Sequence, residues 1–431
     1  MILEFVVENF RSIKEEQVLS FYATGAQGGN LGNVVPLPNT TYRILKSVGL
    51  YGANASGKTN VLRALWTLRR MISASYRLGE GDRIPWYEPY AFNEKCKGAA
   101  TRFEIDLTVP VEGVLRRFLY KIAYDGEEII DESLFVFSKN RASRLFLRVK
   151  GDTRETISFG SALRGGDRKI AFFRNQAYLS VAGRNAGAPH VIRDVYRYFH
   201  TRFTQIRLYE DGLDLASGDE MRFARLIRFV DVGVSDVKRY VIDEASINMK
   251  LPSGMPTSLR QKLIERVRNR YVFVHNEHSG ESGELDLTDE SDGTQRMFGL
   301  FPKVVETLVN GGVFIIDEIE SGMHPFMAET LVRLFNDAEV NNGQAQLLFT
   351  THNSNLMSPS LLRRDQIWFA EKSGGDSHYY SLDDFDKKVV TPTSPYVKWY
   401  LEGRFGAIPS IDFAGLAGAV VELRKERGNA K

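Results

Sequence analysis

The hydrophobic period changes several times along the chain. Over residues 1–25 apolar and polar positions alternate, the period of half-buried strands. A loop rich in Gly, Asn and Pro follows at residues 25–39. Residues 47–51 form a short apolar run, and residues 60–66 then carry apolar side chains at helical spacing. A buried strand, a loop and a helix reaching about residue 76 are expected there. Alternation returns between residues 103 and 147. Residues 103–107 and 118–124 read as antiparallel strands, and Tyr124-Asp125-Gly126-Glu127 as the hairpin turn leading to Ile129. Residues 160–270 are expected to be mainly helical, with amphipathic candidates at 192–203, 220–232 and 259–267. From about residue 285 the pattern becomes α/β. A helix capped by Ser291 runs to about residue 309 and stops at Asn310-Gly311-Gly312. Buried strands are expected at 313–316 and 346–349. No fixed-period repeat occurs, and heptads are not sustained, so a long coiled-coil arm is not expected.

The strand–loop–helix unit carries the strongest chemical signal. Gly52-Ala53-Asn54-Ala55-Ser56-Gly57-Lys58-Thr59 fits the phosphate-loop template G-x-x-x-x-G-K-[ST]. Backbone N–H groups of such a loop, at a helix N-terminus, cradle nucleotide phosphates. Gly52, Asn54, Ala55, Ser56, Gly57 and Asn60 are therefore expected around ATP. Lys58 is expected to reach its β- and γ-phosphates, and the Thr59 hydroxyl to ligate Mg²⁺.

Further along, the apolar run 313–316 ends in Asp317-Glu318. A carboxylate at the C-terminal end of a neighbouring strand belongs beside the Mg²⁺ shell, which suits Asp317. Glu318 is then placed to polarise a water for in-line attack. The run 346–349 ends in Thr350-Thr351-His352-Asn353, where His352 is positioned to hydrogen-bond a γ-phosphate. Upstream, Ser291-Asp292-Gly293-Thr294 opens a helix. The plain reading is a capped helix; the functional one is a helix N-terminus, with Ser291 and Gly293, facing a γ-phosphate held by another subunit.

Composition sets limits on partners. Of 431 residues, 43% are hydrophobic and 26% charged, as in ordinary globular chains. The net charge of +2 does not mark a generic nucleic-acid or membrane-surface binder. Cys96 is the only cysteine, which rules out intrachain disulfides and cysteine zinc clusters. No apolar run approaches the ~20 residues of a membrane span. A cytoplasmic location is expected, with no membrane partner. His275, His278 and Glu281 lie in a Ser/Gly/Glu-rich loop, and solvent exposure is expected for them rather than a metal. The arginines of 260–270 read as the outer face of a helix, with DNA contact as the alternative.

Taken together, Asn9-Phe10-Arg11-Ser12, the phosphate loop, Ser291-Asp292-Gly293-Thr294 and Asp317-Glu318-Ile319-Glu320-Ser321-Gly322-Met323-His324-Pro325 resemble a known group. They look like the AAA-type, ABC-class ATPases of bacterial phage-defence and abortive-infection loci, nearest to the RloA/AbiLi-like branch. The PARIS and OLD-family ATPases are more distant cousins. The segment 400–409 is similar to that branch too, so the resemblance covers nearly the whole chain.

It implies an α/β fold: an ABC-ATPase head of the P-loop NTPase class, with an antiparallel β subdomain and a mainly helical insertion. The implied division is an N-terminal lobe at 1–155, the insertion at 156–284 and a C-terminal lobe at 285–431. Arg11 joins the nucleotide-binding set through the resemblance. A homodimer or higher homo-oligomer through the heads is implied, with a separate toxin or nuclease as effector. The alternative is a RecF-like DNA-repair or chromosome-associated ATPase that binds DNA. Two departures stand out: Ser-Asp-Gly-Thr replaces the ABC signature Ser-Gly-Gly-Gln, and Ser321 is followed three residues later by His324 rather than Asp.

Overall fold

A six-stranded sheet runs through the centre of the molecule, ordered 203–206, 313–316, 346–350, 47–51, 367–373, 376–381. Its first five strands are parallel, and only the edge strand Asp376–Ser381 is antiparallel. The computed structural model describes residues 1–25, 31–38, 40–206, 225–229, 233–252, 254–276 and 282–429.

Parallel strands buried on both faces need apolar side chains at every position, which explains the unbroken runs in the sequence. The two faces feed two separate cores. Val48, Leu50, Val313, Ile315 and Leu348 point into one, and Tyr51, Phe314, Ile316, Leu347 and Phe349 into the other. The first core is closed by helix Lys58–Ala74, helix His190–Thr201 and a second, seven-stranded antiparallel sheet. That sheet contains Ile2–Glu8 and the long meander Thr101–Val149. The second core lies under helices Asp292–Asn310 and Pro325–Asn336. Buried Gln346 ties the sheets together, its amide bonding both the N–H and the carbonyl of Ile2.

The expected hairpin after Tyr124 is present, and Ser291 caps its helix by accepting the Thr294 N–H at 3.2 Å. The longest helix among the described residues is Asp292–Asn310, so no coiled-coil arm is formed there.

Residues 156–284 differ from the expected, mainly helical insertion. Tyr178, Ile192, Val195 and Phe199 are fully buried in the first core. Strand Phe203–Ile206 pairs with Val313–Ile316 at the edge of the central sheet. The chain therefore stays packed on the central sheet and first core to residue 206, past residue 156. Helix Thr257–Val267 matches the candidate at 259–267, but strands Val234–Val241, Asn269–Asn276 and Ser282–Asp286 form a three-stranded antiparallel sheet around it. Tyr271-Val272-Phe273-Val274 is aromatic and β-branched, a composition that favours strands over helices. Phe298 packs its ring against Tyr271 and Phe273, tying this sheet to the Ser291-capped helix. The helix candidate 220–232 falls mostly outside the described residues.

Candidate functional site: a phosphate loop facing two carboxylates

Strand Ser47–Tyr51 delivers the chain into the loop, and helix Lys58–Ala74 receives it. Gly52 and Gly57 have φ of +151° and +107°. A Cβ on Gly57 would sit 2.3 Å from Ser377 Oγ, and one on Gly52 would sit 2.4 Å from the Ala370 carbonyl. Both positions need glycine for conformation and for space. Ala55 is also left-handed, at φ +61°. No side chain caps the helix at Gly57, so its first N–H groups remain directed at the loop.

Lys58 is buried and curls back over the loop. Its Nζ donates to the carbonyls of Gly52 at 2.9 Å and Ala53 at 2.8 Å. Burial lowers its pKa, and Asp317, Glu318 and Glu320 partly offset that shift. The buried Ser56 hydroxyl has no hydrogen-bond partner. Asn54 and Ala55 are exposed at the tip.

The loop is braced from distant parts of the chain, among them Ser377 and Tyr379, which the sequence did not single out. Ser377 Oγ donates to the Ser56 carbonyl at 2.9 Å, and the Tyr379 hydroxyl to the Gly57 carbonyl at 2.8 Å. Asn60 Nδ2 donates to Ser12 Oγ at 2.6 Å, and Ser12 also meets Ser377 at 2.7 Å. Arg11 enters through Asn60, its Nη1 lying 3.5 Å from Asn60 Oδ1 while its Nε pairs with Glu88 at 2.5 Å. Arg11 is thus part of the loop's support.

Asp317 and Glu318 follow strand Val313–Ile316, next but one to the phosphate-loop strand. Thr59 Oγ1 donates to Asp317 Oδ1 at 3.2 Å, bringing the two expected Mg²⁺ ligands together. Thr350 Oγ1 donates to the same oxygen at 2.5 Å and accepts the Glu318 N–H at 2.7 Å. Glu318 has φ +48°, a strain of about 1–3 kcal/mol for a non-glycine residue. Its carbonyl accepts from Arg296 at 3.1 Å, so both of its backbone polar groups are held.

Glu320 does the same for the neighbouring loop. Its carboxylate accepts the Thr351 hydroxyl and the His352 N–H, each at 2.6 Å. His352 stands close enough to Lys58 for the ammonium to lower its pKa, in addition to the larger effect of burial; Glu320, Glu318 and Asp317 oppose the shift. Thr350 and Glu320 adjoin the motifs in sequence, and that proximity was the available signal. Ser377 and Tyr379 lie more than 300 residues from the loop they brace and leave no local trace.

Ser291 and Gly293 open helix Asp292–Asn310, whose Arg296 reaches the Glu318 carbonyl. Neither Ser291 nor Gly293 hydrogen-bonds a phosphate-loop residue among the described residues. A Cβ on Gly293 would instead lie 3.2 Å from the Gly322 carbonyl, behind the Asp-Glu strand. His324, which stands where ABC heads carry Asp, caps helix Pro325–Asn336 by accepting the Phe326 N–H at 3.3 Å.

His275 pairs with Glu290 at 2.6 Å, while His278 and Glu281 lie outside the described residues. No cluster of three potential metal ligands occurs among the described residues. Arg260 bonds Asn248 and Pro252, and Arg270 pairs with Asp286. No described helix is long and apolar enough to cross a membrane.

A family model described as "AAA domain, putative AbiEii toxin, Type IV TA system" matches residues 47–358. The chain belongs to this family. It is an AAA-type P-loop ATPase, and the match spans the phosphate loop, Asp317, Glu318 and His352. Among solved structures, this ATPase is similar to the SMC head domain from Thermotoga maritima, at 11% identity and TM-score 0.38, over 88% of this chain and 98% of that one. It is also similar to an SmcHead bound to the C-winged helix domain of ScpA, at 12% identity and TM-score 0.37, over 88% and 97%. No curated protein matches the chain.

Proposed function

We propose that this ATPase binds and hydrolyses ATP with Mg²⁺ in a homodimer or larger homo-oligomer joined through its heads. We further propose that the assembly acts in the cytoplasm as a sensor or scaffold in phage defence, controlling a separate toxin or nuclease. The observation that carries the enzymatic part is the convergence of Thr59 and Thr350 on Asp317 Oδ1, with Glu318 held beside it.

The residues fit the substrate. The Ser56 hydroxyl is buried and unpaired inside the loop, and Lys58 meets only loop carbonyls, with no carboxylate at ion-pair distance among the described residues. Glycines keep the cradle clear of Cβ atoms. Lys58 would exchange two carbonyl contacts for phosphate oxygens, a stronger charge-assisted pairing. Thr59 and Asp317 would hold Mg²⁺, which when bound neutralises charge on the phosphates. Glu318 would accept the proton of the attacking water. His352, kept neutral near pH 7, would donate a hydrogen bond from its ring to the terminal phosphate.

Ser291 and Gly293 supply the second half of the site in this reading. Neither residue hydrogen-bonds the loop of its own chain among the described residues, and a helix N-terminus is suited to an anion presented by another copy. The defence role rests on the motif resemblance and on the family description, which names an AbiEii toxin and a type IV toxin–antitoxin system.

Mixing two inactive variants tests the shared site. Ser291→Arg fills the helix N-terminus and Lys58→Ala empties the loop. Each alone is expected to be nearly inactive, and the mixture to regain part of the activity, because one hybrid site keeps both Lys58 and Ser291. Full ATPase activity in Ser291→Arg alone would show that the site is built within one chain.

A further inference from the structure

Trp66, Arg69, Arg70 and Arg77 recur at helical spacing and share one face of helix Lys58–Ala74 and its short extension Ser75–Arg77. With Trp86 and His200 they wall an open cleft of about 390 Å³. Arg69 lies roughly 16 Å along the helix from Lys58, at 1.5 Å per residue, so the cleft and the phosphate loop are at different ends of one element.

The cleft is basic and lacks counter-charges. Arg69, Arg70 and Arg77 form no ion pair with any carboxylate among the described residues; Arg69 donates instead to the His200 carbonyl at 3.0 Å, and Arg77 to the Tyr76 hydroxyl at 2.8 Å. By contrast, the half-buried Arg117 and the buried Arg148 and Arg363 each pair with an acidic residue. Burial pushes the Arg69 guanidinium down to about 10, with Arg70 adding to the effect. His200 is lowered by burial and then by Arg69, Arg184 and Arg77, with no acid opposing them.

Two of its polar atoms are also unsatisfied. Arg69 Nε and Trp66 Nε1 are both buried without a hydrogen-bond partner. The Arg69 guanidinium sits 4.3 Å from the centre of the Trp66 ring, and that of Arg70 5.9 Å. Clustered guanidiniums call for an anion, and indole faces at the same wall call for a flat aromatic group.

We propose that this cleft is a second nucleotide-unit site, holding an aromatic base against the indoles and its phosphate on Arg69, Arg70 and Arg77. Two sources supply that chemistry: a free nucleotide, or an unpaired nucleic-acid strand laid along the arginine face. The site stands independently of the ATPase reading, since none of its residues belongs to the phosphate loop or the carboxylate pair.

The test uses the full chain and two probes: fluorescein-labelled dT20 by anisotropy, and AMP by calorimetry, each at 50 and 200 mM salt. The variant Arg70→Glu/Arg77→Glu reverses two charges at the cleft. The control Arg116→Glu/Arg141→Glu makes the same charge change on the antiparallel sheet, and both pairs are checked by thermal melting. Trp66→Phe is the second variant, keeping a ring while removing the indole N–H. Binding of either probe that weakens at least tenfold in the cleft variant and less than twofold in the control supports the site. Binding of dT20 without AMP assigns an unpaired strand, and binding of AMP assigns a free nucleotide. Failure of wild type to bind either probe, or equal weakening by cleft and control pairs, overturns the proposal. Because ATP turnover is read separately, loss of the cleft leaves the phosphate-loop reading standing, and the reverse.

Discussion

The Thr350 hydroxyl accepts the backbone N–H of Glu318 at 2.7 Å and fixes it in a left-handed conformation. The same hydroxyl donates to Asp317, so one side chain orients both carboxylate-bearing residues. Thr350→Val keeps the shape and removes both bonds. It is expected to destabilise the chain by about 1–3 kcal/mol, the cost of an unsatisfied buried group. ATP turnover should fall about tenfold or more, as for other residues that orient metal ligands, with ATP affinity changed much less. Chemical denaturation with steady-state kinetics measures both.

Gly57→Ala meets two obstacles, φ +107° and the Ser377 hydroxyl 2.3 Å from the new Cβ. A loss of stability of about 1–3 kcal/mol is expected from the conformation alone, with ATP binding lost as the loop shifts. Adding Ser377→Gly removes the clash and leaves the φ strain, so the double variant should recover part of the stability. No recovery in a thermal melt would show that contact with Ser377 is not what constrains the loop.

Tyr379→Phe removes the bond from the buried hydroxyl to the Gly57 carbonyl. A cost of about 1 kcal/mol is expected, with weaker ATP binding by calorimetry. Unchanged affinity would assign Tyr379 to the core alone.

Lys58→Ala takes away the loop's cation. Losing one charge-assisted hydrogen bond of about 1.5–3 kcal/mol corresponds to roughly a 10- to 100-fold weaker ATP affinity. Equal affinities for variant and wild type would remove nucleotide binding from this loop.

The lowered pKa of His352 sets a pH dependence. Its folded value lies below the unfolded one, so the folded state resists taking up the proton. The contribution to stability is complete above the unfolded value near 6.5 and is lost as pH falls through it towards the folded value. Wild type should therefore lose more thermal stability between pH 7.5 and 5.5 than His352→Asn. An identical loss in both would show that His352 does not titrate differently on folding.

The parts of the site carried by contiguous residues were legible in the sequence. The phosphate loop is local because a strand, a turn of glycines and a helix must follow one another directly. Asp317 and Glu318 are local because they end a strand buried on both faces. The bracing by Ser377, Tyr379 and Ser12 was not legible, since it arises only when the edge strand and the N-terminal turn are folded against the loop. The three-stranded sheet at 234–286 was missed for a different reason. Its strands flank the amphipathic stretch 257–267, whose helical periodicity dominates the local pattern, while the β-branched and aromatic composition of 271–274 favours a strand. The packing of residues 178–199 on the first core is not legible in the sequence, because Tyr178 and Phe199 are buried by partners distant in sequence, including the first strands and the Lys58 helix.

The central claim is that Glu318, held beside Asp317 and facing the phosphate loop, is the base for ATP hydrolysis. Glu318→Gln preserves volume and removes the proton acceptor. ATP affinity and steady-state turnover, measured on the same preparation, test this most directly. The account predicts wild-type ATP affinity with turnover lowered by about 10²- to 10⁴-fold, the usual contribution of a general base. Turnover equal to wild type would contradict it.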